Sequence, residues 1–175
     1  MEAETASPLP DSAGLDPPAG AFETFYAASV DGVYRALTVT LGDAHLAREA
    51  TDEAMARAFV KWRQVAGYDN PGGWVFRVGL NWATSWRRKL HREGRLPEDD
   101  QGMPAVALPD PGGVDAAAAL ARLPIQARAV VVCRVLFDLS TAETATVLRI
   151  AEGTVRSRLS RAMTVLRNEL RGEIR

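Results

Sequence analysis

Residues 140–162 read STAETATVLRIAEGTVRSRLSRA. Ser140 is followed three positions later by Glu143. This is a capping box: hydroxyl and carboxylate each satisfy a backbone N–H that the first helical turn leaves free. A short helix to Leu148, a turn of a few residues and a longer helix from about Glu152 to Arg171 follow, which is the layout of a helix-turn-helix. Ala145 and Leu148 of the first helix are spaced to pack on Val155 and Leu159 of the second. Val155, Leu159, Ala162 and Leu166 line one side of that second helix, while Arg156, Ser157, Ser160 and Arg161 fall on another. An apolar back that fixes the angle and a front of donors near the N-terminus suit a helix lying in a DNA major groove. There Arg reaches guanine O6 and N7, and Ser, Thr and further Arg hold phosphates.

Upstream of this motif the pattern stays helical. Val130, Val131, Val132, Val135 and Leu136 predict a buried helix after the break at Leu123-Pro124, and helical pattern begins at Asp115. Residues 93–114 hold Pro97, Pro104, Pro109 and Pro111 among glycines and acids, and read as a linker. Before it, Phe22, Phe25, Tyr26, Val30, Val33, Tyr34, Leu37 and Leu41 recur at three- and four-residue steps as one apolar stripe. Gly42 closes that helix and Asp43 caps the next, which runs to about Trp62 with Leu46, Ala50, Met55 and Phe59 inward. Asn70-Pro71 reads as an N-cap with proline at the first helical position, opening a third long helix to about Arg92. Residues 1–20, rich in Pro, Ala, Gly and acids, read as a disordered tail. The expectation is all-α: a helical domain over 21–92, the linker, and a second helical domain over 115–175.

The net charge of -1 conceals an uneven distribution. Residues 116–175 carry ten arginines against five acids, and Arg87, Arg88, Lys89, Arg92 and Arg95 form a second basic run. The tail has only acids (Glu2, Glu4, Asp11, Asp16), and Glu98, Asp99, Asp100, Asp110 and Asp115 lie between the basic patches. Two basic patches around an acidic connector point to two contacts with one polyanion. No apolar run is long enough to span a bilayer, and the N-terminus lacks the charged start and apolar stretch of a secretory signal. The single Cys133 excludes an internal disulfide and fits a reducing cytoplasm. His45 and His91 have no ligand-spaced partner, and neither a nucleophile motif nor a phosphate-binding glycine loop is present. No enzymatic activity, cofactor or metal is expected. His45 reads as a helix-surface residue and Cys133 as core.

The run DLSTAETATVLRIAEGTVRSRLSRAMTVLRNEL, preceded by the Leu-Pro of ALARLPIQARAVVV, resembles region 4 of the extracytoplasmic-function (ECF) sigma factors of the sigma-70 superfamily. The resemblance implies that Thr154, Arg156, Ser157, Arg158 and Arg161 contact the promoter −35 element. Arg149 stands where that family commonly has glycine. If the turn needs positive φ, it costs roughly 1 kcal/mol, and Arg149 is otherwise a candidate phosphate contact. Residues 47–62, AREATDEAMARAFVKW, are similar to the polymerase-binding helix of region 2 in the same family. That likeness implies that Arg48, Glu49, Asp52, Glu53 and Arg57 dock on the β′ clamp helices of core RNA polymerase.

Residues 74–89, WVFRVGLNWATSWRRK, are similar to the family's −10 helix. Aromatic faces replace base stacking when a duplex opens, and cations hold the displaced backbone. Trp74, Trp82 and Trp86 fit the first need, and Arg77, Arg87, Arg88 and Lys89 the second. The resemblance adds Asn70 and Asn81, with a flipped base held partly by the loop at about 63–70. Leu80 and Ser85 depart from the common Arg and Asp, which bears on −10 specificity. The implied function is an alternative sigma factor in the cytoplasm. Its implied partners are core RNA polymerase (β′ clamp helices and β flap), promoter DNA and an anti-sigma factor. The acidic linker, with Glu98, Asp99 and Asp100, is read as a nucleic-acid mimic in a basic polymerase channel. Two alternatives remain: a sigma-like adaptor that binds polymerase or a regulator without selecting promoters, and a stand-alone helix-turn-helix regulator.

Overall fold

A computed structural model describes residues 17–94 and 113–172. The tail through residue 16, the linker from 95 to 112 with Glu98, Asp99 and Asp100, and residues 173–175 lie outside the described residues. Every regular element among the described residues is a helix: α1 (Ala21–Leu41), α2 (Ala44–Val60), α3 (Trp62–Val65), α4 (Pro71–Arg92), α5 (Gly113–Ala121), α6 (Ile125–Val135), α7 (Thr141–Leu148) and α8 (Glu152–Gly172).

The helix boundaries follow the local chemistry. Gly42 ends α1 at φ 68, a left-handed conformation that glycine adopts without a Cβ clash, and its N–H donates to the Thr38 carbonyl. The Asp43 carboxylate accepts from the Leu46 N–H at 2.9 Å and starts α2. The Asn70 side-chain oxygen accepts from the Gly73 N–H at 2.6 Å, with Pro71 opening α4. Both hydrogen bonds of the Ser140–Glu143 capping box are present at the start of α7.

Three expectations are corrected. The second helix stops at Val60, and a separate single turn, α3, holds Trp62. Phe59 does not point inward but is 60% exposed; its ring meets Phe22 edge-on at 5.1 Å, beside Trp62. Val135 and Leu136 are 66% and 51% exposed rather than buried. They lie where α6 ends and the chain turns through Asp138, at φ 49, so the apolar run outlasts the surface that covers it.

Helices α1, α2 and α4 form the first module around Val33, Leu37, Leu41, Ala50, Val75 and Phe76. Gly79 permits the crossing. A Cβ at that position lies 2.8 Å from Leu37 Cδ1 and 3.0 Å from the Ala50 carbonyl oxygen. The second module wraps α8 with α5 and α6 through Leu123, Val131 and Ala162, and with α7 through Val130, Ala145 and Val155. The modules are not held apart. Ala129, Val132, Cys133, Leu139 and Val147 of the second join the core of the first, so that α6 lies on α1 and α7 on α4.

Candidate nucleic-acid interface

Helix α8 has its apolar side fixed by α5, α6 and α7, which leaves its N-terminal half facing outward. Thr154, Ser157, Arg158 and Arg161 line one crevice of about 500 Å³, together with Gln126 and Pro124 at the start of α6. Arg156 stands apart from this group and pairs with Glu152 at 3.1 Å. An exposed pair one helical turn apart contributes a few tenths of a kcal/mol, so little free energy holds Arg156 on that carboxylate. The Ser157 hydroxyl donates to the Thr154 carbonyl at 3.1 Å, and Arg161 Nε to the Ser157 carbonyl at 3.2 Å. Both side chains thus lie along the helix; Arg161 keeps its other N–H donors, whereas Ser157 has spent its one O–H and keeps only acceptor capacity. Gln126 escaped the sequence reading because nothing in the spacing of α6 ties it to a helix 30 residues later.

Arg149 occupies the left-handed conformation, φ 53, at the end of α7. The turn therefore keeps the geometry that glycine normally supplies, with an exposed arginine in its place.

On α4 the tryptophans do not act as one set. Trp82 and Trp86 stack at 5.8 Å with 5° between the rings, and Trp86 is 37% exposed. Lys89 Nζ sits 5.7 Å from the Trp86 ring centroid and 4.0 Å from Glu93. Asn81, Arg88 and Lys89 are exposed on the same helix. Trp74 lies more than two turns away, half-buried against the core beside Tyr68, with ring centroids 6.3 Å apart. Asn70 is engaged as the helix cap.

Arg77 feels a charge of the second module, whereas Arg87 is held within the first. Burial first, and the charge of Arg149 second, lower the Arg77 pKa from its ordinary value. Arg87 is buried; it donates to the Leu41 carbonyl at 3.3 Å and lies 3.8 Å from the Asp43 carboxylate. Arg128 of α6 is 3% exposed, and its Nε has no hydrogen-bond partner. Burial and then the nearby Arg87 charge lower its pKa.

On α2, Arg48, Glu49, Asp52, Glu53 and Arg57 make a polar face. The guanidinium of Arg48 lies 4.3 Å from the Tyr34 ring centroid. Glu53 accepts from Arg57 Nε at 2.8 Å, and Glu49 lies 3.7 Å from His45, whose side chain is 87% exposed. This face is separate from α8. Among the described residues no group of His, Cys, Asp and Glu is placed to hold a metal ion, and no helix is long and apolar enough to cross a membrane.

The family model described as Sigma-70, region 4 matches residues 114–166. The ECF RNA polymerase sigma factor SigE of Mycolicibacterium smegmatis is 37% identical over 153 residues, covering 80% of this chain and 58% of that protein's own length. The ECF RNA polymerase sigma factor SigL of Mycobacterium tuberculosis is 36% identical over 135 residues, covering 72% of this chain and 75% of that protein. Among solved structures, the sigma factor RpoE from Bartonella quintana, in complex with the anti-sigma factor NepR, shares the fold. Its TM-score is 0.73 over 87% of this chain and 98% of that one, at 21% identity.

Proposed function

The chain belongs to the ECF RNA polymerase sigma factors, and from that premise we propose that it binds core RNA polymerase and directs promoter recognition and opening, as a non-catalytic factor of the cytoplasm. The observation that carries this reading is the pairing of a capped helix-turn-helix, whose second helix presents Thr154, Ser157, Arg158 and Arg161 along one crevice, with a separate helix bearing the stacked Trp82–Trp86 pair beside exposed cations. The first suits duplex DNA read in the major groove, with Arg156 joining as a phosphate contact. The second suits opened DNA, because every base has a face that stacks on indole and every phosphate a charge that Arg88 and Lys89 attract. Asn70, Trp74 and Asn81 border this −10 surface, and Arg77 and Arg87 are its further proposed cations, Arg87 once it gives up the Leu41 carbonyl.

The α2 face with Arg48, Glu49, Asp52, Glu53 and Arg57 is the proposed contact to the β′ clamp helices, and the second module the one that meets the β flap. Alternating charges on an exposed helix give register and specificity to such a contact more than affinity. The proposed domain limits are 21–92 and 115–175. An anti-sigma factor covering the polymerase-facing surfaces is the proposed inhibitor, by analogy with the NepR complex of the structural neighbour.

In vitro transcription with core polymerase and a genomic-fragment library tests the reading. Start sites that appear only with the added chain are expected. Binding to core without any new start site would leave the sigma-like adaptor as the function, and site-specific duplex binding without core would leave the stand-alone regulator.

A further inference from the structure

One end of the first module carries an aromatic face. Phe22, Phe25 and Tyr26, in the first turns of α1, gather with Phe59 and Trp62, where α2 ends and α3 begins. Phe59 is 60% exposed and Tyr26 40%, and both rings meet Phe22. Single exposed apolar residues are ordinary, whereas exposed rings joined into one surface mark a place where something docks. The Trp62 indole N–H, buried in this cluster, has no hydrogen-bond partner. Buried donors without an acceptor are rare and call for one. This face is separate from the α8 crevice and from the Trp82–Trp86 pair.

The chain supplies a segment that suits it. Residues 1–16 run directly into this end of α1, because Pro17 to Gly20 lead into the helix at Ala21. Leu15 stands two residues before Pro17 and Leu9 eight before it. At about 3.3–3.6 Å per residue, extended chain carries Leu9 as far as roughly 27 Å from Pro17, whereas the Phe22 and Phe59 rings are 5.1 Å apart. Leu9 lies between Pro8 and Pro10. Prolines bias a chain toward the extended polyproline conformation, whose carbonyls have no internal partner. Such segments dock on aromatic-lined surfaces at low cost in entropy.

Charge favours the same occupant. The segment has Glu2, Glu4, Asp11 and Asp16 and no cation. Lys61 and Arg63, on either side of Trp62 in sequence, are exposed, and Glu23 is the exposed acid at the α1 edge of the face. An acidic strand across the face is therefore drawn toward α3. We propose that residues 8–16 lie across the face formed by Phe22, Tyr26 and Phe59, with Leu9 and Leu15 on the rings and Asp11 toward Lys61 and Arg63. A carbonyl of the segment is the acceptor that Trp62 lacks. The contact is intramolecular, so the tether supplies an effective concentration on the order of millimolar, and a few apolar side chains suffice to populate it. Docked, the segment shields an aromatic face that would otherwise draw copies of the chain together. The docking is independent of the promoter-binding role proposed for α4 and α8.

The test is NMR on the isotopically labelled full chain, with the Phe59 amide and the Trp62 indole N–H as reporters. Leu9→Ser combined with Leu15→Ser is expected to shift both reporters, although the substituted residues lie more than 40 positions from them in sequence. Resonances of the buried Val75 and Val130 are expected to stay in place. Raising the salt concentration of the parent is expected to move the reporters in the same direction, by screening Asp11 from Lys61 and Arg63. Reciprocally, Phe59→Ser is expected to shift the Leu9 and Leu15 methyls toward their random-coil positions, with the Val75 and Val130 resonances as the check that the fold persists. Reporter resonances that coincide in the parent and the double variant overturn the proposal. Should they coincide and move together on dilution, the face joins copies of the chain; should they coincide and move on adding a single-stranded oligonucleotide, the face belongs to nucleic acid.

Discussion

Two residues carry more of the behaviour of this chain than their surroundings suggest. Arg149 sits at φ 53. An L-residue pays about 1–2 kcal/mol for the left-handed conformation, while glycine there loses about 0.5–1 kcal/mol through greater freedom in the unfolded chain. Strain outweighs entropy, so Arg149→Gly is expected to raise stability by about 0.5–1 kcal/mol in urea unfolding. It also removes a charge that Arg77 feels. Cys133 is fully buried, and burial pushes its thiol pKa up to about 12. At neutral pH almost none of it is thiolate, the form that reacts. Alkylation of the native chain followed by mass spectrometry is expected to be far slower than in urea; equal rates would show that the core around α6 is open. The core role of Cys133 and the exposure of His45 were legible from sequence, because a lone thiol in an apolar run and a histidine beside a helix cap each have few other places to go. The fate of Arg87 and Arg128 was not. A sequence shows arginines as charge, and only packing decides which of them lose their water.

Helices are where sequence and structure agree best, since caps and glycines act within a few residues. Ser140→Ala removes one half of the capping box and is expected to cost about 1 kcal/mol. Its partner adds a pH signature. Hydrogen bonding to Ser140, side chain first and backbone N–H second, holds the Glu143 carboxyl below its ordinary range. A carboxylate with a depressed folded pKa stabilises above its unfolded pKa and loses that contribution as pH falls through the folded one. The difference in urea midpoint between the parent and Glu143→Gln is therefore expected to shrink on acidification below the ordinary carboxylate pKa. Gly79→Ala forces a methyl against the Ala50 carbonyl oxygen at 3.0 Å. Backbone cannot step aside as a side chain does, so a loss of about 1–3 kcal/mol is expected. On α8, Arg158→Ala is expected to weaken duplex DNA binding and to reduce the slope of log affinity against log salt by about 1 if Arg158 holds one phosphate. An unchanged slope in fluorescence anisotropy titrations would remove it from the contact set. Errors in reading the helices fell at their ends. Phe59, Val135 and Leu136 keep the apolar period but run past the neighbour that buries the preceding turns.

For the molecule as a whole, the decisive fact is a core shared between modules. Phe137, partly buried, and Val147, buried, pack across the boundary between the modules, and burying a side chain such as Val147 contributes at most about 1.5–3 kcal/mol. Calorimetry is expected to show a single cooperative transition for the parent chain, and Val147→Glu to separate it into two; two transitions in the parent would mean that the modules fold independently. The sequence by itself determined the all-α class, the order of the long helices, their caps and the family, because each rests on residues within a turn or two of one another or on motifs read in a row. Only the tertiary structure decided that α7 lies on α4, that Arg128 is buried near enough to feel the Arg87 charge, and that Gln126 borders the crevice of α8. Those contacts join residues tens of positions apart, and an apolar residue such as Val147 has the same period whether it meets its own module, a neighbouring one or water.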